Sequence, residues 1–463
     1  MSFMIIFLAL GLLMWMAYRG HSVILFAPFA ALLAVMLTEP ALVAPVYVGL
    51  FMDKMVSFIK LYFPVFMLGA VFGKLIELSG FSSSIVSSVT SLLGGGRAML
   101  SIVLVCAVLT YGGVSLFVVV FAVYPFAAEL FRQLNIPKRL IPGTVALGAF
   151  SFTMDSLPGT PQIQNIIPTT FFHTDTWAAP WLGVIGSVFI LIAGMSYLEW
   201  RRREALQQGE GYGTHTLNEP EKIQTDALPN PWIALLPLVL VAVSNKLYTM
   251  WIPSVYGKSY TVDLPGLKHP LSGEVSAVVA IWAVEAALLT GIAVVVLFAY
   301  RTIASRFAEG SKAAVAGSLL AAMNTASEYG FGAVIAALPG FVAVTDALRH
   351  IPNVLIGEAV TVTTLAGITG SASGGMSIAL AAMAETFIQN AQRAGIPMEV
   401  LHRVAAMASG GMDTLPHNGA VITLLAVTGL THREAYRDIF AVTCLKTLAV
   451  FVVIAVYLLL GVY

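Results

Sequence analysis

Long apolar runs recur along the whole chain, and they are the feature that most limits what it can fold into. A run of about 18 or more apolar residues can cross a bilayer core as one helix. Of 463 residues, 58% are hydrophobic and 10% charged, with a mean hydropathy of +0.87, whereas soluble domains carry about a quarter charged residues. The sequence predicts an all-α polytopic membrane protein. Its clearest predicted spans are 3–17, 22–38, 55–78, 177–199, 231–252, 275–300, 313–338 and 438–462.

Charge and motif content exclude several classes of function. The chain has 24 basic and 24 acidic residues, a balance that argues against a nucleic-acid partner. Its two cysteines, Cys106 and Cys444, lie in apolar segments and match no metal or disulfide spacing. No Walker motif, HExxH or GxSxG occurs. We therefore expect no cofactor, no metal and no enzyme, so active transport would draw on an ion gradient.

The basic residues indicate an orientation in the membrane. Arg201, Arg202 and Arg203 form the densest cluster and open a polar stretch, 201–230, which is the one plausible linker. Placing the basic clusters in the cytoplasm satisfies the positive-inside rule. Both termini and the loop 253–274 then face outward across a bacterial inner membrane. This orientation requires segments 97–134 and 352–394 to enter and leave on one side.

The chain also repeats itself, which indicates two homologous halves. Short matches recur in the same order about 260 residues apart. An odd number of helices lies between the halves, so we expect them to be inverted relative to each other. Inverted repeats are typical of secondary transporters, whose sites lie where broken helices of the two halves meet. The matched segments are VFGKLIELSGF (71–81) with GFGAVIAALPGF (330–341), YGGVSLF (111–117) with SGGMSIA (373–379), and FTMDSLPG (152–159) with GGMDTLPH (410–417).

The last matched pair predicts two broken helices. Pro158 and Pro416 interrupt the helix, and the exposed backbone of such a break is tolerated at membrane depth only inside protein or beside a cavity. Asp155 and Asp413 precede the breaks. An intramembrane aspartate is costly, so we predict a pair of ion or proton sites. The alternative is that each aspartate only caps its second half-helix.

The middle pair predicts two re-entrant hairpins. Each has an apolar arm, a polar tip and a second apolar arm, with tips TYGGVS (110–115) and TGSASGGMS (369–377). Such a tip presents backbone amides and hydroxyls to a small anion. The alternative is a close helix crossing of small residues.

Other polar residues near these elements are further candidates. His417 can carry a proton or hydrogen-bond a substrate, although a packing histidine is the alternative. Glu328 lies in NTASEYGFG (324–332), where an ion-coupling role competes with a helix contact. Gln162 follows the first break and is expected to line a cavity beside Thr160.

These segments resemble the gluconate permease family of the ion transporter superfamily, and especially its D-3-hydroxybutyrate permeases. The resemblance covers nearly the full length, and three stretches carry it most specifically. It implies a scaffold domain and a transport domain, proton-coupled uptake by an elevator-like movement, and a dimer. The first break lacks the His-Pro-rich pattern of gluconate-specific members, which favours a smaller, less hydroxylated acid. The three stretches are SFTMDSLPGTPQIQNIIPTTFF (151–172), GSASGGMSIALAAM (370–383) and SGGMDTLPHNGAVITLLAVTGL (409–430).

The resulting prediction is a proton-coupled importer of a small monocarboxylate, with D-3-hydroxybutyrate as the best single substrate. The partners expected are this acid, protons, the lipid bilayer and a second copy of the chain. The predicted ion-coupling residues are Asp155, Asp413, His417 and Glu328. The predicted substrate-binding residues are Thr110, Gly112, Gly113, Ser115, Ser156, Thr160, Gln162, Ser371, Ser373, Gly374, Gly375, Ser377, Thr414, His417 and Asn418.

Several alternatives remain open at this point. Sodium can replace the proton, and gluconate or another organic acid can replace hydroxybutyrate. A passive anion channel can share the inverted architecture, and an intramembrane enzyme has no supporting motif spacing. The predicted division is 1–96 (N-terminal scaffold helices and the start of repeat 1), 97–172 (first hairpin and broken helix), 173–351 (linking and scaffold helices, loop 201–230 and the start of repeat 2), 352–430 (second hairpin and broken helix) and 431–463 (C-terminal helix).

Overall fold

The protein is built almost entirely from helices. The computed structural model describes residues 2–19, 21–93, 97–114, 116–215, 217–219, 228–341, 351, 353–416 and 418–463. Within these ranges the only strands are β1 (Ser259–Val262) and β2 (Leu271–Glu274), an antiparallel hairpin in the stretch expected to be an outer loop. The predicted all-α polytopic class is confirmed.

The described helices follow the predicted apolar runs. In chain order they are α1 (Ser2–Tyr18), α2 (Val23–Thr38), α3 (Pro40–Leu78), α4 (Phe81–Leu93), α5 (Ala98–Tyr111), α6 (Leu116–Gln133), α7 (Leu140–Ala149), α8 (Phe152–Asp155), α9 (Ile163–Phe172), α10 (Pro180–Gln207), α11 (Pro231–Tyr256), α12 (Val279–Ala304), α13 (Phe307–Ala337), α14 (Val354–Thr369), α15 (Ala372–Ala394), α16 (Met398–Gly410), α17 (Gly419–Thr428) and α18 (His432–Leu460). Among these, α3, α10, α11, α12 and α18 are long and apolar enough to cross a membrane.

Local sequence explains where the long helices begin and end. Pro231 opens α11 after Asn230, whose side chain accepts the backbone N–H of Trp232. Thr431 and Glu434 form a reciprocal capping box at the start of α18, which satisfies two otherwise unpaired N–H groups. The structure corrects one predicted boundary: α10 continues to Gln207, so the loop predicted to open at Arg201 begins seven residues later than expected.

Two helical hairpins and two broken helices lie where the sequence predicts them. The first hairpin is α5 and α6, and the second is α14 and α15, each joined by a short tip. The first broken helix consists of α7, the single turn α8 and α9. The second consists of α16, a 3₁₀ turn at Gly411–Thr414 and α17. The re-entrant path of the hairpins and the inverted relation of the halves stay predictions.

The packing gathers the hairpins and broken helices around α10 and α18. The long helix α18 contacts α7, α10, α16 and the 3₁₀ turn, and α9 contacts α15 and α16. The helices α1, α2, α3, α11, α12 and α13 pack mainly among themselves, with α13 also lying against α15. The polar elements of both halves therefore share one core.

A polar segment between α10 and α11 holds the ends of both broken helices. We call residues 208–215 and 217–219 the strap. Its Glu210 makes a two-pronged ion pair with Arg139 at the start of α7, with both N–O distances 2.6 Å. Its Asn218 donates 2.7 Å to the carbonyl of Ala426 near the end of α17. The strap therefore ties the first half of the chain to the second.

Candidate functional site

The first break is a tight loop packed against an indole ring. Gly159 has φ +80°, a left-handed conformation that favours glycine. A Cβ at this position would lie 2.4 Å from the ring of Trp177. The carbonyl of Gly159 accepts from Asn245 of α11 at 3.1 Å. Any side chain in place of Gly159 would displace the ring that covers the break.

Polar side chains of this loop are used to close it. The hydroxyl of Thr160 donates 2.7 Å to the carbonyl of Thr153. The amide of Asn165 donates to the carbonyls of Thr160 and Thr176 at 3.0 and 2.8 Å. Helix interruption leaves backbone carbonyls without helical partners, and these bonds supply the replacements. The hydroxyl of Thr160, a predicted substrate ligand, is thus bonded to the backbone of Thr153 in the same broken helix.

Two buried residues of α16, which belongs to the second half of the chain, bind the first break. Neither of them was predicted from the sequence. Arg403 donates 3.0 Å to the Asn165 side-chain oxygen and 3.0 Å to the carbonyl of Asp155. His402 lies 3.2 Å from the same oxygen of Asn165 and 2.6 Å from the hydroxyl of Thr174. Both are fully buried, so they fix the loop rather than offering open sites.

Asp155 faces a lysine instead of an open cavity. Its Oδ1 accepts from the Ser156 hydroxyl at 2.7 Å, and its Oδ2 lies 3.4 Å from Lys446 Nζ of α18. Side chains of both charged partners are 2% exposed or less. Gly410 makes room for the carboxylate, since a Cβ there would lie 1.7 Å from Oδ2. The negative charge is therefore neutralised within the protein.

Lys446 also joins the two broken helices. Its ammonium donates to the carbonyls of Phe150, just after α7, and of Gly410, the last residue of α16. The carbonyl end of a helix carries partial negative charge, so one cation stabilises two such ends and one aspartate. Sequence reasoning missed this residue, although a lysine inside an apolar run was a readable signal.

Asp413 reaches out of its own segment to the second hairpin. Its Oδ1 accepts the backbone N–H of Ala372, the first residue of α15, at 2.9 Å. Its Oδ2 accepts from Gln164 of α9 at 2.9 Å. The alternative that each aspartate caps its second half-helix is wrong, because the N-cap residues there are Gln162 and Asn418. Asp413 instead binds at the N-terminus of a neighbouring helix, where a negative charge is favoured.

Amide side chains from the breaks hold both hairpin tips. Gln162 donates 2.7 Å to the carbonyl of Thr110 in the first tip. Asn418 donates 2.7 Å to the carbonyl of Gly370 in the second tip while capping α17 through Ala420. These bonds tie each tip to the break of the same half.

The second tip carries a group of serines at the start of α15. Ser371 caps the helix by accepting from the N–H of Gly374 at 3.1 Å. The Ser373 hydroxyl lies 3.4 Å from those of Ser371 and Thr325. Gly375 lets the two arms approach, since a Cβ there would lie 2.1 Å from the Cα of Ala366. The hydroxyls thus gather around the helix end that Asp413 contacts.

Glu328 of α13 is buried directly against this helix end. A Cβ on Gly374 would lie 1.6 Å from Glu328 Oε2, and that oxygen has no hydrogen-bond partner among the described residues. The side-chain oxygens of Ser377 and Gln164 (Oε1) are likewise buried and unpartnered there. Buried polar groups are normally paired, so the unpartnered Glu328 oxygen against Gly374, together with the Asp413 contact, marks the α15 N-terminus as the candidate site.

The remaining predicted residues fall outside this group. Gly112 and Gly113 pack against Leu238 and Leu288, and the Thr110 hydroxyl is buried without a partner among the described residues. The Thr414 hydroxyl bonds that of Thr443 at 2.6 Å. Ser115 and His417 lie outside the described residues. In the part of the chain that the structure describes, no three His, Cys, Asp or Glu side chains cluster to hold a metal ion.

Long apolar helices around a core of buried charges, with paired hairpins and broken helices, define a multi-pass membrane transporter. The chain belongs to the family of the uncharacterized transporter YxjC of Bacillus subtilis (strain 168), with which it is 57% identical over 470 residues, covering 100% of both chains. Family membership therefore assigns it to transporters and not to enzymes. No model of a known protein family matches the chain.

The fold is also found in a solved structure. It is similar to that of the YdaH transporter of Alcanivorax borkumensis, whose crystal structure reveals an unusual topology. The match covers 89% of this chain and 88% of that one, with a TM-score of 0.50 and 16% sequence identity. At this identity the similarity concerns the fold alone.

Proposed function

We propose that the protein is a proton-coupled symporter that imports a small monocarboxylate, with D-3-hydroxybutyrate as the first substrate to test. The observation that carries the proposal is the bond between Asp413 Oδ1 and the N–H of Ala372. This places an internal carboxylate on the helix N-terminus, a position that favours any small anion. A substrate carboxylate bound there would replace Asp413 on that N–H group.

This replacement would couple the proton to the substrate. Two carboxylates side by side in a buried site cannot both stay ionised, because like charges disfavour each other. A proton on Asp413 removes its charge and weakens its hold on the Ala372 amide. The proton and the substrate carboxylate therefore bind better together than singly, which is the thermodynamic definition of coupling.

The surrounding groups suit a hydroxy acid. Hydroxyls of Ser371, Ser373 and Ser377 lie on the first turns of α15 and complement a carboxylate and a hydroxyl. Glu328 beside Gly374 would be protonated in the same step, so that the loaded site carries only the charge of the substrate carboxylate. A site with one negative charge costs less to carry through a low-dielectric barrier than a site with two or three.

The larger movement is proposed to be of the elevator type. The hairpins, the broken helices, α10 and α18 would form the moving unit, while α1–α3 and α11–α13 would form the scaffold of a homodimer. This grouping follows the packing, in which α10 and α18 lie against the broken helices. We place the protein in the bacterial inner membrane with both termini outside.

Sodium is the second candidate for the coupling ion, and a specific observation favours it. Oxygen atoms of Glu328, Gln164 and Ser377 are buried without partners among the described residues, and hard cations take oxygen ligands. Sodium-coupled transport would use these oxygens instead of a proton on Asp413.

The test is uptake of labelled D-3-hydroxybutyrate into proteoliposomes, with an inward proton gradient and no sodium. Accumulation that a protonophore abolishes supports proton symport. Uptake that occurs only after sodium is added would show that sodium, and not the proton, is the coupling ion. Uptake of other carboxylates but not of D-3-hydroxybutyrate would show that the proposed substrate is wrong. Equilibration without accumulation under any gradient would indicate a passive channel.

A further inference from the structure

A large cavity lies next to the first break, at the end of the molecule that carries the β hairpin. Its volume is about 750 Å³, which falls in the range of small-molecule sites. The walls come from the loop before α10, from α11 and from the residues that flank the strands. Trp177 forms part of the wall and packs against Gly159, so one indole ring separates the cavity from the break.

Lys246 is the notable charge in this wall. It lies on α11 ten residues before Tyr256, where the helix ends, which places it about 15 Å along the helix axis from that end. Its Nζ lies 5.0 Å from the centre of the Trp177 ring, a cation–π contact. No carboxylate within the described ranges lies within ion-pair distance of it. A charge within a membrane helix that faces a cavity marks a substrate or ion pathway by default.

The other charged groups of the wall are, like Lys246, mostly exposed. Asp175 uses one oxygen to accept the backbone N–H of Trp177 at 2.7 Å. Lys258 and Glu274 are exposed neighbours at the ends of the strands, and Glu399 is exposed in the first turn of α16. The mouth thus carries mixed charge, while the part beside the indole carries the ammonium. An anion that reaches the indole meets the Lys246 ammonium next to the break, with the Asp175 carboxylate on the same loop.

We propose that this cavity is a vestibule in which Lys246 captures the carboxylate of the substrate before it reaches the broken helix. The proposal rests on the proposed function, because it takes the substrate to be an organic acid. An ammonium and a carboxylate form a charge-assisted contact. The neighbouring Asn245 holds the Gly159 carbonyl, so capture occurs one residue along α11 from the contact that anchors the break.

The decisive variants change the charge at one position only. Lys246→Gln is expected to raise the KM for D-3-hydroxybutyrate uptake about tenfold at low salt, the loss of one charge-assisted contact, with kcat within about twofold. The wild-type KM should rise with ionic strength, because salt screens the attraction, and the variant should lose that dependence. Lys246→Arg keeps the charge and should stay near the wild type. Lys268→Gln, in the loop between β1 and β2, is the matched control.

Capture also has a readout that does not depend on transport. In a Cys444→Ala background, Thr249→Cys in the cavity wall should react with a membrane-impermeant maleimide. The acid should slow this reaction while Lys246 is present and fail to slow it when Lys246→Gln is added. An unchanged KM in Lys246→Gln with active wild type overturns the vestibule alone, as does a fall in kcat without a change in KM. A lowered KM in that variant would indicate a cationic substrate and overturn it too. Absence of carboxylate uptake by the wild type overturns the proposed function instead, and labelling protection then decides the vestibule separately.

Discussion

The two broken helices carry nearly the same motif, MDSLP and MDTLP, yet the structure uses the two aspartates in different ways. Asp155 lies beside Lys446, and the loop after it closes on its own backbone. Asp413 leaves its loop to bind a helix N-terminus of the second hairpin and the side chain of Gln164. A repeated motif thus yields one carboxylate neutralised by a lysine and one carboxylate that bridges two helices of different halves.

Helix starts show the same asymmetry. In the second half Asn353, Ser371 and Asn418 each cap a helix with a side-chain oxygen. The corresponding helices α5 and α9 of the first half have Arg97 and Gln162 at the N-cap position, and neither side chain caps its helix. A side-chain cap occupies backbone N–H groups at the start of a helix. The Ser371 cap binds the N–H of Gly374, whereas the N–H of Ala372 is bound by Asp413. Another acceptor can therefore compete with Asp413 for the Ala372 N–H.

Removing the cation at the first break should have the largest effect. Lys446→Met leaves Asp155 buried without its partner and two carbonyls without a donor. Breaking a buried pair by removing one partner costs about 3–5 kcal/mol, so thermal unfolding of the purified protein should occur at a much lower temperature. The exposed Lys312→Met is the control. The double variant Asp155→Asn/Lys446→Met should recover part of the loss, and a single variant as stable as wild type would remove the structural role of the pair.

Neutralising the second aspartate should separate transport from stability. Asp413→Asn keeps an acceptor for the Ala372 amide but cannot carry a proton. Accumulation driven by a proton gradient should fall about 100-fold, within the range of typical coupling energies, while exchange of internal for external substrate continues. In the double variant Asp155→Asn/Lys446→Met, the fraction of protein that folds should still show proton-coupled uptake. Coupled uptake lost in the double variant but retained in Asp413→Asn would reverse the assignment of the two breaks.

Steric change at the second tip should have a smaller effect. Gly374→Ala places a methyl group against Glu328, and overpacking of this kind costs about 1–3 kcal/mol. Uptake should fall about tenfold, which corresponds to the lower part of that range. Glu328→Asp in the same chain shortens the carboxyl side chain and should restore uptake. Gly419→Ala is the control, because a Cβ there meets open space; equal losses in both variants would exclude a specific contact with Glu328.

The fold could be predicted from the sequence further than the site could. Apolar length predicts the helices, and the prolines and glycines predict the breaks, because these signals are local. The different environments of Asp155 and Asp413 depend on Lys446, which lies 291 and 33 residues away along the chain respectively. Lys246 and Arg403 are charged residues in apolar runs and were readable as signals, but their partners are set only by packing. The start of the polar loop was misplaced because Arg201 pairs with Asp438 at 2.7 Å within the fold.

The smallest effect concerns the strap, which joins the two halves that the breaks distinguish. The hydrogen bond to Arg139 holds the pKa of the Glu210 carboxyl below its ordinary value. A lowered pKa in the folded state contributes stability above the unfolded pKa, and this stability is lost as the pH falls through the folded value. The ion pair is partly exposed and contributes at most about 1 kcal/mol.

When the pH falls from about 7 to about 4, hydrogen exchange in the strap should therefore become a few times faster, after correction for intrinsic rates. Exchange in α18 should change less and serves as the reference. Glu210→Gln should exchange faster at neutral pH and lose most of this dependence. If the wild-type strap stays equally protected at both values, the ion pair does not hold the two halves together.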